Sequence, residues 1–137
     1  MSYYDDVRAF NRKFRLPEDV GSPTLLADTV FLDRYQYLLE EMHELLRAHH
    51  TRDLVGFADA LVDLVYYALG TAQFAHLPFD AIWDEVQRAN MEKERAAGSD
   101  DPRASTGPRV QRTSADDVVK PEEWRPPDIE GILLRYL

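Results

Sequence analysis

Five carboxylates, Glu40, Glu41, Glu44, Asp59 and Asp63, have types and spacing fit for chemistry. On helices, Glu41 and Glu44 lie one turn apart, and so do Asp59 and Asp63, so each pair points in one direction. Asp63 is the most informative of them. It sits inside Leu61-Val62-Asp63-Leu64-Val65, where almost no polar face is available. An ionised carboxylate taken from water loses on the order of several kcal/mol unless it is paired or bound to a metal. Arg34, Arg47 or Arg52 could compensate Asp63 as an ordinary salt bridge. That alternative weakens as the acids accumulate. Two carboxylates about 4 Å apart repel by roughly 4 kcal/mol at an effective dielectric of about 20, and each raises the pKa of the others.

A divalent cation would remove that repulsion. With oxygen ligands and no cysteine, the hard ion Mg²⁺ fits best, with Mn²⁺ as an alternative. Such an ion inverts the local potential and would let an acidic protein accept phosphates. Glu40-x-x-His43 also matches half the ligand set of a di-iron carboxylate bundle, but the second Glu-x-x-His that such a site needs is absent. Glu-Glu-x-x-Glu alone reads as a charged, solvated helix face.

Two long helices must carry these acids. Apolar Phe31, Tyr35, Leu38, Met42 and Leu45 recur at steps of four and three, predicting a helix from Leu25 or Asp28 to His50 with a bundle-type core seam. Glu41 lies at the edge of that seam, with Glu44 and Glu40 further round. Thr51-Arg52-Asp53 supplies N-caps for a helix from about Leu54 to Phe74, apolar on nearly every side and therefore expected to be central. The short connection favours an antiparallel pair whose acid rows face one another. Gly56 and Gly70 suggest close packing of a neighbouring backbone.

Around this pair, Val7, Phe10 and Phe14 predict a first helix over Tyr3 to Phe14. Asp80 caps a fourth from Ala81 to about Ala97, with Asn90 and Lys93 on one face near its end. Residues 98–117 read as a flexible linker, poor in apolar side chains. Residues 118–137 read as a docking tail whose terminal helix, Ile129 to Leu137, is capped by Asp128. The expected fold is all-α: an antiparallel bundle of four to five helices (1–97), linker and tail, one domain overall, assembling as an oligomer. No convincing strand pattern is seen.

The chain has 137 residues, the size of one domain, with a formal charge of -9 and a pI near 4.8. Like-charge repulsion argues against binding a nucleic-acid polymer or an anionic membrane surface. The start lacks the basic and apolar regions of a signal peptide, and no apolar run reads as long enough to span a membrane, so a cytoplasmic location is expected.

Together these motifs resemble the MazG-like, phosphoribosyl-ATP-pyrophosphohydrolase-like superfamily of all-α nucleotide pyrophosphatases. The resemblance runs through Val7-x-x-Phe10-Asn11-x-x-Phe14, Leu38-x-Glu40-Glu41-x-x-Glu44-Leu45, Asp59-Ala60-Leu61-Val62-Asp63-Leu64-Val65-Tyr66, Ala89-Asn90-x-x-Lys93 and Val119-Lys120-Pro121-x-x-Trp124. It implies Mg²⁺ held by Glu41, Glu44 and acids of the next helix, with Glu40 in a supporting or water-activating role. Members commonly carry Glu-x-x-Asp on that helix; here Asp63 matches the Asp, but Ala60 replaces the Glu and Asp59 stands one residue earlier.

The resemblance also assigns Phe10, Asn11, Asn90, Lys93, Lys120 and Trp124 to the substrate. Trp124 would stack on the nucleotide or anchor the tail. The implied reaction is hydrolysis of a nucleoside or deoxynucleoside triphosphate to monophosphate and pyrophosphate, in a homodimer or homotetramer. A narrower dUTPase-like or phosphoribosyl-ATP pyrophosphohydrolase is the first alternative, and a non-catalytic helical dimerisation or regulatory module the second.

Overall fold

The structure, a computed structural model, describes residues 1–98, 101–103 and 118–137. Its elements in chain order are α1 (Tyr3–Phe14), α2 (Asp28–His50), α3 (Leu54–Phe74), α4 (Phe79–Met91), β1 (Glu94–Arg95), β2 (Val118–Val119) and α5 (Ile129–Leu134). The fold is all-α, as the periodicities predict. By internal contacts the chain divides into two compact units, Met1–Asp80 with Ile132–Leu137, and Ala81–Gly131.

In the first unit, α1 starts at a capping box: Asp5 N–H donates to Ser2 Oγ at 3.1 Å and Ser2 N–H to Asp5 Oδ2 at 2.9 Å. It ends with Arg15 in the left-handed region, φ 57°. Tyr4 and Val7 face Leu69 and Ala72 of α3, with Tyr66, Leu77 and Phe79 packed around them, and this is the unit's buried core. The loop after α1 is tied to the end of α3. Asp19 N–H donates to Gln73 Oε1 at 2.9 Å, and the His76 Nδ1 lies 2.7 Å from the Glu18 carbonyl. Gln73 is fully buried and shares its two ends between this loop and the Tyr4 carbonyl.

The α2–α3 hairpin turns over Thr51–Asp53. Asp53 caps α3, accepting Gly56 N–H at 3.0 Å, while Arg52 takes the left-handed conformation, φ 59°. The two helices pack along each other, and α1 packs on α3.

In the second unit, β1 and β2 pair antiparallel, Glu94 opposite Val119 and Arg95 opposite Val118. Arg88 holds Glu85 through two bonds of 2.9 and 2.7 Å and Glu92 at 2.7 Å, and Arg125 adds a 2.7 Å pair to Glu92. The Trp124 indole N–H donates to the Ala89 carbonyl at 2.7 Å.

Several sequence expectations change. The helix expected to run to about Ala97 stops at Met91, because the chain beyond it is drawn into the β1–β2 pair. That strand pair was not anticipated, since two residues per strand leave no alternation to read. The terminal helix ends at Leu134 rather than Leu137. Within the expected linker, 99–100 and 104–117 lie outside the described residues. Asp101 is buried there, and its carboxylate accepts Ala97 N–H and the Arg103 guanidinium.

The seam on α2 is covered only in part, with Leu38 and Leu45 half-buried. Phe31, Tyr35 and Met42 are each half or more exposed, and so are Leu54, Val55, Val62 and Val65 of the supposedly central α3. Two helices can cover only part of a helix that is apolar nearly all round. The glycines make room for side chains rather than backbone: a Cβ on Gly56 would meet Asp53 Oδ2 at 2.5 Å, and one on Gly70 would meet Arg34 Nη2 at 2.5 Å. Finally, α3 is long and apolar enough to cross a membrane by length and composition, with 21 residues and a mean hydropathy of 1.4, which corrects the expectation that no segment is. Core helices of soluble proteins have the same composition.

Candidate active site

The hairpin carries the acids on its two packed helices. Glu41 and Glu44 come from α2, Asp59 and Asp63 from α3. Glu41 and Asp63 are both half-buried, and the Glu41 Oε2 is buried with no hydrogen-bond partner. Burial raises its pKa first, and the charges of Glu44, Asp63 and Asp59 raise it further. Asp63 is raised by burial, then by Asp59 and Glu44. Glu41 thus feels acids of both helices, and so does Asp63. Glu40 is exposed and is not among the groups that shift either residue.

Among the described residues none of the four forms a salt bridge, so the pairing of Asp63 with Arg34, Arg47 or Arg52 is not made. Nor, among those residues, are three His, Asp or Glu gathered closely enough to hold a metal ion as they stand. A buried carboxylate oxygen with no donor, surrounded by acids, nevertheless fits a hard cation in the chemistry of its donors.

Next to Asp63 opens a cavity of about 310 Å³, lined among others by Phe10, Asn11, Arg34, Tyr66 and Tyr67. Phe10 meets Tyr66 edge-on with ring centroids 5.4 Å apart, and Tyr37 stacks on Tyr67 at 5.4 Å. Asn11 is buried and its amide donates to the Pro17 carbonyl at 2.6 Å, which fixes the cavity wall. Arg34, Tyr66 and Tyr67 were not singled out as substrate contacts from the sequence. The spacing Asp63-Tyr67 and Asp63-Tyr66, one turn along α3, was the available signal.

The remaining candidates belong to the second unit. Lys93 lies just past α4, its Nζ bonded to Asn90 Oδ1 at 3.0 Å. Lys93 and Lys120 place their ammonium groups 5.5 and 4.6 Å from the centre of the Trp124 ring. With its N–H given to Ala89 and cations against its face, Trp124 is anchored and organises two positive charges.

An all-α hairpin carrying two acid rows is compatible with the all-α nucleotide pyrophosphatases. The profile of the phosphoribosyl-ATP pyrophosphohydrolase family matches residues 7–90, more than half of the chain. The chain belongs to that family, within the MazG-like superfamily, and is a pyrophosphohydrolase by descent. The match covers all four acids, Asn90 and the cavity, and ends before Lys93, Lys120 and Trp124. No curated protein matches the chain.

Proposed function

We propose that this chain hydrolyses a nucleoside or deoxynucleoside triphosphate to the monophosphate and pyrophosphate in a Mg²⁺-dependent reaction. The observation that carries this reading is the buried, unpartnered Glu41 Oε2 among Glu44, Asp59 and Asp63. A fold rarely leaves such an oxygen unsatisfied without a ligand to use it. Glu41, Glu44, Asp59 and Asp63 would hold Mg²⁺, or Mn²⁺ in its place, with Asp59 serving for the Glu that Ala60 replaces. The ion, when bound, neutralises charge on the phosphates and polarises them. Glu40, exposed and outside the coupled set, would orient the attacking water or take its proton. Phe10 and Asn11 would border the nucleotide in the cavity. Asn90, Lys93, Lys120 and Trp124 would contribute phosphate contacts, the two ammonium groups supplying positive charge to the transition state.

Pyrophosphate release from a panel of ribo- and deoxyribonucleotides, with Mg²⁺, with Mn²⁺ and with chelator, tests this directly. Metal-dependent release is expected; no release from any nucleotide overturns it. Phosphoribosyl-ATP as substrate is the second reading, favoured by the family's own description, and belongs in the same panel.

The exposed apolar rows of α2 and α3 support self-association. Phe31, Tyr35, Met42, Val62 and Val65 are each half or more exposed, and large exposed apolar patches mark interaction surfaces. A second copy would cover it, as homodimer or homotetramer. Light scattering on the full chain is expected to show a multiple of 15.8 kDa, and a monomeric mass would remove this part of the reading.

A further inference from the structure

Arg34 is the only arginine of α2 that lines the cavity, and the hairpin reserves space for it. Its Nε donates to Thr71 Oγ1 at 3.1 Å and its Nη2 to the Tyr67 carbonyl at 3.0 Å. The rings of Phe74, Tyr67 and Tyr37 surround it, with centroids 4.8, 5.6 and 5.7 Å from its central carbon. Gly70 supplies the gap, since a Cβ there would lie 2.5 Å from Nη2. Half-buried, the guanidinium forms no salt bridge with any described residue, and its two recorded bonds go to neutral oxygens. Burial lowers its pKa, the mark of a cation held away from water without an anion to repay it.

Position says which part of a substrate this group would meet. Arg34 precedes Glu41 by seven residues, about 10 Å along the helix axis. Asp63 lines the same cavity, so a nucleotide whose phosphates lie between Glu41 and Asp63 would extend its base along α2 towards Arg34. The aromatic walls from Phe10, Tyr66 and Tyr67 suit a base as well. A guanidinium offers a rigid fork of donors and no acceptor. The base edge that matches it carries a keto oxygen, most fully the O6 and N7 of guanine.

We propose that Arg34 sets base preference: its guanidinium donates to the keto edge of a guanine, uracil or thymine base in this cavity and disfavours adenine, whose amine brings a donor to the same edge. The proposal rests on the reading of the acids as the phosphate-holding site. It makes Arg34 a specificity-determining residue of that site, fixed by Thr71, the Tyr67 carbonyl and Gly70.

The test compares full-length wild type, Arg34→Gln, Arg34→Lys and Gly70→Ala. Pyrophosphate release gives kcat/KM for dGTP, dUTP and dATP, and calorimetry gives binding of dGMP, dUMP and dAMP without turnover. Wild type is expected to favour the keto bases by about ten-fold or more. Both Arg34 variants should bring that ratio to within about two-fold of unity, because Lys keeps the charge and loses the fork. Gly70→Ala, which displaces the guanidinium and leaves it in the chain, should lower the ratio too, and serves if an Arg34 variant fails to fold. A wild-type ratio near one, a ratio unchanged in the variants, or equal loss on every base with rescue by Lys overturns the proposal. If wild type releases no pyrophosphate at all, the hydrolase reading fails, and the monophosphate binding ratios still decide the role of Arg34.

Discussion

The acid rows of the α2–α3 hairpin and the ion-pair ladder around Arg88 use the same side chains in opposite ways. Around Arg88 each carboxylate has a partner: Glu85 receives the guanidinium and the Asp128 N–H, and its pKa is held down at about 2. Glu92, between Arg88 and Arg125, is lowered as well. On the hairpin Glu41 and Asp63 move the other way, raised by burial and by each other's neighbours. Carboxylates of the first kind help hold their unit together. Those of the second kind work against folding, and their presence is explained by what they are there to bind.

The largest effect should come from separating these two roles. Glu41→Gln is expected to lower pyrophosphate release on the order of 100-fold or more, while raising the thermal midpoint measured in chelator, because a buried charge with no partner is removed. A variant that loses activity and stability together would return Glu41 to the class of Glu85. Next in size, Mg²⁺ should stabilise the wild-type chain, by about 2.7 kcal/mol at a hundred times the dissociation constant. Asp63→Asn should abolish most of that gain in a melting curve, and an equal gain in the variant would take Asp63 out of the site.

The ladder has its own signature in pH. Glu85 is lowered from 4.5 to about 2, so its contribution is fully present above about 4.5 and is lost as pH falls towards 2. Arg88→Ala should flatten that acid limb in urea unfolding measured between pH 5 and pH 2, with little change in metal-dependent activity. An unaltered limb would show the ladder to be incidental. Smallest is the cap that joins the acid helices: Asp53→Ala should destabilise by about 1 kcal/mol, through loss of the bond to Gly56 N–H. Denaturant unfolding of that variant, with activity measured alongside, shows whether the hairpin turn serves geometry or stability alone.

Local signals were legible and long-range ones were not. The limits of α1 follow from the spacing of Val7, Phe10 and Phe14, and the start of α3 from Asp53, whose cap works within a single turn. The end of α4 did not follow, because Glu92-Lys93-Glu94-Arg95-Ala96-Ala97 favours helix locally and yields to pairing with Val118 and Val119. The four acids could be read from spacing along two helices, since helical geometry turns sequence distance directly into direction. Which acid holds the unpartnered oxygen could not. Asp63 stands in the more apolar sequence, yet the oxygen without a partner belongs to Glu41, and that depends on how two helices meet. Arg34 was visible only as a candidate salt-bridge partner. Its aromatic surroundings come from Tyr37, Tyr67 and Phe74, the last two more than thirty residues away in the chain.

The three-residue turn at Thr51–Asp53 has a consequence for how the chain acquires its chemistry. Everything from Glu41 to Asp63 lies on one continuous stretch, so closing the acid site requires only a short loop and little chain entropy. Contacts of such low sequence separation form early and fast. The constellation is therefore carried on one segment, which could be inherited or transplanted as a unit.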